Sequence, residues 1–134
     1  MQVSADCSKG THGPIGSWDV SAVTDMSAIF SYEVGPARAH TKVFNQDLSK
    51  WDVSKVTSMM CMFRGASAFN QDISTWDVSA VTDMGYMFDS ASVFNQDLSK
   101  WDLSTVADMK FMFSDASAFN QDLSKWDVSA VTDM

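Results

Sequence analysis

The sequence predicts an α/β repeat solenoid, a stack of coils in which each coil is one short parallel strand followed by one short helix. Three observations carry that prediction. Tryptophan stands at positions 51, 76, 101 and 126, a spacing of 25 residues. Each sits in the same phrase, FNQDLSKWDVS at 44–54, which returns with few changes at 69–79, 94–104 and 119–129. Within every period a stretch of alternating burial pattern precedes a stripe at helical spacing. Such a period marks units that bury their apolar face only against their neighbours.

Along the chain, residues 1–13 read as an N-terminal cap or tail. The opening MQVSADCSKG is neither basic nor followed by an apolar run, so it is not an intact secretory signal. The repeat region spans 14–134 and holds about five coils. The first, PIGSWDVSAVTDMSAIF at 14–30, keeps Trp18, Asp19, Val20, Val23, Met26 and Phe30 in register. Trp18 and Trp51 are 33 residues apart, which places eight extra residues in an insert at 31–43. Three complete coils follow at 44–68, 69–93 and 94–118, identical at 14 of 25 positions. The last coil stops in mid-repeat at Met134, and a stack of this kind normally closes on a polar cap, so further chain is expected after it.

Inside one coil, Leu48, Trp51 and Val53 form an L-x-x-W-x-V stretch whose end alternates as a strand does. Val56, Met59, Met62, Phe63 and Ala66 then recur as one stripe of a short helix. Ser54 precedes that stripe as a candidate N-cap, repeated by Ser21, Ser79, Ser104 and Ser129. The Asn-Gln-Asp phrase supplies the return turn.

Composition bounds the function. Hydrophobic residues make up 46% of the chain against 19% charged, which argues against disorder despite the many Ser and Asp residues. The net charge of −8 argues against nucleic acid or an anionic membrane as a partner, because the basic patch those partners require is missing. No apolar run reaches the roughly 20 residues that span a bilayer. Cys7 and Cys61 match no metal spacing; they read as two free thiols or as one disulfide.

The core L-x-x-W-x-V with the following V-T-x-M-x-x-M-F-x-x-A resembles the BspA-type leucine-rich repeat of bacterial surface proteins and mycoplasma-type lipoproteins, a repeat also met in protists and marine algae. The resemblance covers 14–134 apart from the insert. It implies an extracellular or cell-surface repeat protein used in adhesion or protein binding, without enzymatic activity and without a cofactor. The N-terminal cap and the 31–43 insert depart from the pattern.

Several residue series invite a chemical reading. The tryptophans could form an exposed stacking row, but they take a core leucine position, so the indoles should point inward with their N–H groups on carbonyls. Asp52, Asp77, Asp102 and Asp127 occupy one outward position, where a row of like charges repels unless neutralised. Lys50, Lys100 and Lys125, together with the Ser54 series, offer local relief; a calcium ladder is the alternative. Asp47, Asp72, Asp97 and Asp122 suit Asx turns, and Asn45, Asn70, Asn95 and Asn120 suit a ladder between coils.

Recognition is sought where the repeats differ. On a helical wheel, positions 60, 61 and 64 point away from the core, which puts Cys61, Tyr86 and Phe111 in one line on the convex surface. That line is either a protein-contact stripe or three isolated exposed residues. The insert adds Tyr32, Arg38 and His40 as further contact candidates in an acidic chain. His12 and His40 both lie outside the repeats, with no base–nucleophile pair in view, so no catalytic or metal-binding residue is assigned. The expectation is a non-enzymatic, protein-binding surface protein. The alternative is a peripheral structural subunit of a larger assembly, within an organelle or associated with a membrane.

Overall fold

The computed structural model of the chain describes residues 12–32 and 38–134. Within them the repeats stack in the register the tryptophans mark. One parallel bridge joins each coil to the next, Asp25 to Ser58, Ser58 to Asp83, Asp83 to Asp108 and Asp108 to Asp133. The first step of this series is 33 residues and the others are 25, so the insert leaves the stack in phase.

The coils themselves are not a strand plus a helix, and the α/β, leucine-rich-repeat architecture expected from the sequence is overturned. Among the described residues the only helical segments are a 310 turn at Ile15–Ser17 and a four-residue helix α1 at Arg38–Thr41 inside the insert. The parallel pairing among the described residues consists of isolated bridges, with no sheet.

What replaces the helix is a string of turns. In the coil beginning at Phe69, the N–H groups of Trp76, Val81, Met87, Asp89 and Ala91, and that of Phe94 at the start of the next coil, each donate to the carbonyl three residues earlier. The intervening N–H groups leave the coil: Met84, Tyr86, Phe88 and Ser90 donate to Asp108, Lys110, Met112 and Ser114 of the next one. Alternation of this kind requires the backbone to reverse hand at intervals. It does so at Cys61, Tyr86 and Phe111 (φ 57°, 56° and 51°) and four residues on at Gly65, Ser90 and Asp115 (φ 71°, 60° and 52°).

The stacking distance explains why a helix is excluded. Phe63 and Phe88, equivalent residues of neighbouring coils, have ring centroids 5.6 Å apart. Packed helices need about 8–10 Å between axes. One helix per coil would not fit that spacing, whereas a flat run of turns does. The apolar positions are unaffected, because successive three-residue turns carry Met59, Met62, Phe63 and Ala66 to the inside as a helical stripe would.

The intended strand also changes role. Trp51 and Val53 are buried and Asp52 is exposed, as alternation requires, yet no backbone bond joins 51–53 to the neighbouring coils. The tie there is the indole. Trp51, Trp76, Trp101 and Trp126 donate from Nε1 to the carbonyls of Ile15, Leu48, Ile73 and Leu98 in the preceding coil, at 2.9–3.2 Å.

The core is two parallel columns of phenylalanine. Phe30, Phe63, Phe88 and Phe113 form one, with successive centroids 5.4, 5.6 and 5.6 Å apart. Phe44, Phe69, Phe94 and Phe119 form the other, at 5.9, 5.9 and 6.1 Å. The columns touch where each coil passes into the next, at 4.0–4.1 Å. On the outside the asparagine ladder is present: the N–H of Asn70, Asn95 and Asn120 donates to Oδ1 of the asparagine one coil back. The side chains of Gln71, Gln96 and Gln121 donate to the same asparagines.

Candidate contact face

The outward side of the turn string is built by its left-handed residues. A positive φ at Cys61, Tyr86 and Phe111 swings the side chain off the helical direction, so the wheel argument places these three only in part. Phe111 is 53% exposed, with only the incomplete last coil beyond it, and Tyr86, on which its ring packs, is half-buried. Their rings pair at a centroid distance of 5.3 Å and 40°. Cys61, expected on the surface, is buried at 8% exposure, and that burial pushes its thiol pKa upward. It offers a partner no contact. Its neighbour Met60 does, at 42% exposure.

Two cations frame the rings. The Arg64 guanidinium lies 5.1 Å from the centre of the Tyr86 ring, and its Nε donates to Asp89 Oδ2 at 2.8 Å. Lys110 Nζ lies 5.8 Å from the Phe111 ring centre and 4.0 Å from Asp133 Oδ2. Between them the chain narrows at Gly85, where a Cβ would come within 3.3 Å of Oδ1 on both Asp83 and Asp108. Each of those Oδ1 atoms accepts a backbone N–H two residues on, from Gly85 and Lys110 respectively. Lys110, Gly85, Asp83 and Asp108 were not singled out from the sequence. The signal for Gly85 and Lys110 was the position they share with Met60, which takes a different residue in every complete coil.

The insert candidates divide. Tyr32 packs over the stack, its Cβ so close to Gly65 that a Cβ on that glycine would sit 2.9 Å away, and Lys42 lies 4.1 Å above its ring. Tyr32 thus pins the start of the insert to the second coil. His40 is exposed on α1. Arg38 begins the same helix. Residues 33–37, and the Cys7 end of the possible disulfide, lie outside the described residues, as do 1–11 of the N-terminal segment.

The aspartate rows are caps. Asp52 and Asp77 each accept both the N–H and the hydroxyl of the serine two residues on, the hydroxyl at 2.6 Å. The serines expected to cap helices therefore cap nothing helical; they hydrogen-bond ionised carboxylates. Hydrogen bonds from those serine hydroxyls, and then from the serine N–H groups, hold the Asp19, Asp52, Asp102 and Asp127 carboxyls below the ordinary range. In the Asn-Gln-Asp row the backbone bond is the larger cause, at Asp47, Asp72, Asp97 and Asp122. Lysine is a minor contributor in both rows, not the main relief. The described residues contain no group of three or more His, Cys, Asp or Glu placed to hold a metal ion.

A cavity of about 580 Å³ opens on the last coil, lined by Met109, Met112, Phe113, Leu123, Trp126 and Val128 among others. Phe111 and Ser114 also line it, but most of its walls are positions that a neighbouring coil covers elsewhere, so it is a side of the core rather than a separate site. No helix among the described residues is long and apolar enough to cross a membrane.

A family model described as "Mycoplasma protein of unknown function, DUF285" matches residues 2–35 and 35–134, and the chain belongs to that family. No curated protein and no solved structure matches.

Proposed function

We propose that this member of the DUF285 family is a non-enzymatic repeat protein that works at the cell surface and binds another protein through the face around Tyr86 and Phe111. One observation carries the reading. Both aromatics occupy left-handed backbone positions, φ 56° and 51°. Glycine adopts that conformation freely, whereas a residue with a Cβ does so at a cost of roughly 1–2 kcal/mol. A bulky aromatic ring there worsens the fold, so its presence points to a use outside the fold. The pairing of Tyr86 with Phe111 makes one contiguous patch rather than two stray rings.

The chemistry of the repeats supports a binding role over a catalytic one. The serine hydroxyls at 54 and 79 are committed to aspartate caps, and the histidines lie off this face. The surface location rests on the likeness of the repeat phrase to surface-protein repeats.

The test is gentle extraction from the source cells followed by light scattering on the eluted species, with the Phe111→Gly variant alongside. Surface labelling of intact cells together with a complex that Phe111→Gly dissolves is the expected result. A chain protected from surface label and held at fixed ratio in a complex that Phe111→Gly leaves intact would overturn the proposal.

A further inference from the structure

We propose that the order in which the first three coils stack is set by two contacts between residues that the repeats do not share, Tyr32 against Gly65 and Arg64 with Asp89. The inference is independent of the contact face proposed above and concerns how the stack that carries it is assembled.

The repeats themselves create the need. Complete coils are identical at 14 of 25 positions, and those positions carry the phenylalanine columns, the indole bonds and the asparagine ladder. None of these distinguishes one neighbour from another, since Phe63 stacks as well on Phe113 as on Phe88. A stack of this kind can begin folding at any coil and extend from there, so coils joined out of turn are its characteristic error.

The first contact is steric. Tyr32, Gly65, Ser90 and Asp115 hold one position of the repeat; the N–H groups of Tyr32, Gly65 and Ser90 donate to the carbonyls of Arg64, Asp89 and Ser114 in the next coil. A Cβ at 65 would sit 2.9 Å from Cβ of Tyr32, and neither atom can be moved by a change of rotamer. Tyr32 therefore seats on the second coil. On the third or fourth, Ser90 or Asp115 would bring the Cβ that Gly65 lacks.

The second contact is electrostatic. One place earlier stand Ser31, Arg64, Asp89 and Ser114. Asp89 is only 7% exposed and accepts Nε of Arg64 at 2.8 Å. Only Arg64 among the four is a cation, so a third coil seated behind any other would bury a carboxylate without its partner. That is strongly destabilising, whereas the intact pair adds little, because burying two ions offsets their attraction. Such a pair is suited to choosing a register more than to strengthening it. The exposed Lys110–Asp133 pair discriminates far less.

The experiment uses the whole chain with Cys7→Ser and Cys61→Ser, refolded from urea and then oxidised. Lys50→Cys, Thr75→Cys and Lys100→Cys place thiols at exposed equivalent positions of successive coils. Neighbouring coils stand about 4.8 Å apart, within the span of a disulfide, and positions 50 and 100 lie two coils apart and beyond it. A 50–100 bridge, read by peptide mass mapping, therefore reports the second coil seated on the fourth. Ser17→Cys with Lys50→Cys and Thr75→Cys reports the first junction through a 17–75 bridge. The expected result is a 50–100 share about tenfold higher in Arg64→Ser with Asp89→Ser than in the parent, and a 17–75 share raised likewise in Tyr32→Ala. Asn70→Ala, which weakens the stack through a bond common to the coils, should leave both shares unchanged. An unchanged share in the serine pair or in Tyr32→Ala would overturn the contact that variant tests. An equal rise in Asn70→Ala would reduce both effects to lost stability and overturn the proposal. Thermal unfolding accompanies every variant: a serine pair without a cooperative transition would also overturn the Arg64–Asp89 assignment, because the bridge would then hold the fold up rather than order it.

Discussion

Replacing Phe111 by alanine and by glycine separates a string of turns from a helix by the sign of one difference. In the structure Phe111 has φ 51°, a backbone hand that alanine tolerates poorly and glycine freely. Relief of roughly 1–2 kcal/mol of left-handed strain is set against about 0.5–1 kcal/mol of extra backbone entropy lost by glycine on folding. The ring contact with Tyr86 is lost in both variants and cancels in the comparison. Glycine should therefore be more stable than alanine by about 0.5–1 kcal/mol. In the helix that the apolar stripe implies, the order reverses, because glycine in a helix interior is about 1 kcal/mol worse than alanine. For a chain of this length 1 kcal/mol corresponds to about 3–5 °C in Tm. Thermal unfolding by circular dichroism, with urea titration as a check, resolves a difference of that size. Alanine more stable than glycine at 111 would refute the turn string. The wild type's standing between them measures what the aromatic ring costs the fold.

Trp76→Ala should destabilise by roughly 3–5 kcal/mol in urea unfolding, since it opens a core cavity and leaves the Leu48 carbonyl without its indole donor. Asn70→Ala removes the acceptor of the Asn95 N–H and of the Gln96 amide, so a loss of about 1–3 kcal/mol is expected, and Asn70→Asp, which keeps Oδ1, should recover most of it. Stability should also fall in acid. The capped aspartates have folded-state pKa values below the unfolded value of about 3.9, so their contribution is complete above that pH and is lost as pH drops through the folded values. Tm against pH should turn down below about pH 4, and replacing Ser54 and Ser104 by alanine should flatten that fall.

Much of the fold's register was legible in the residues, and much of its backbone was not. The inward places of Trp51, Val53, Val56, Met59, Phe63 and Ala66 follow from identity at fixed offsets, and the asparagine ladder follows from an amide that recurs every coil. The helix did not follow, because three-residue turns in succession bury the same i, i+3 and i+4 positions. Gly65, with Ser90 and Asp115 at its position in later coils, carried a faint warning, since these residue types mark positive φ. The stacking distance, which forbids a helix, depends on phenylalanine rings meeting across coils and is not written at any one position. Cys61 was misplaced for the same reason: the wheel assumed one hand throughout. The contact face was half visible. Its rings could be named, whereas the close approach of Asp83 and Asp108 at Gly85 shows only once neighbouring coils are stacked.

The bonds between coils have a mechanical consequence. The backbone ladder and the indole bonds run from one coil to the next, along the stack axis. A pull from one end therefore loads the bonds of the outermost coil first, in the geometry of a zip rather than a shear. Each coil that peels away frees 25 residues, about 80–90 Å of slack chain. Held at both ends, such a stack would lengthen in steps under load, shedding tension coil by coil while the remaining coils keep their shape.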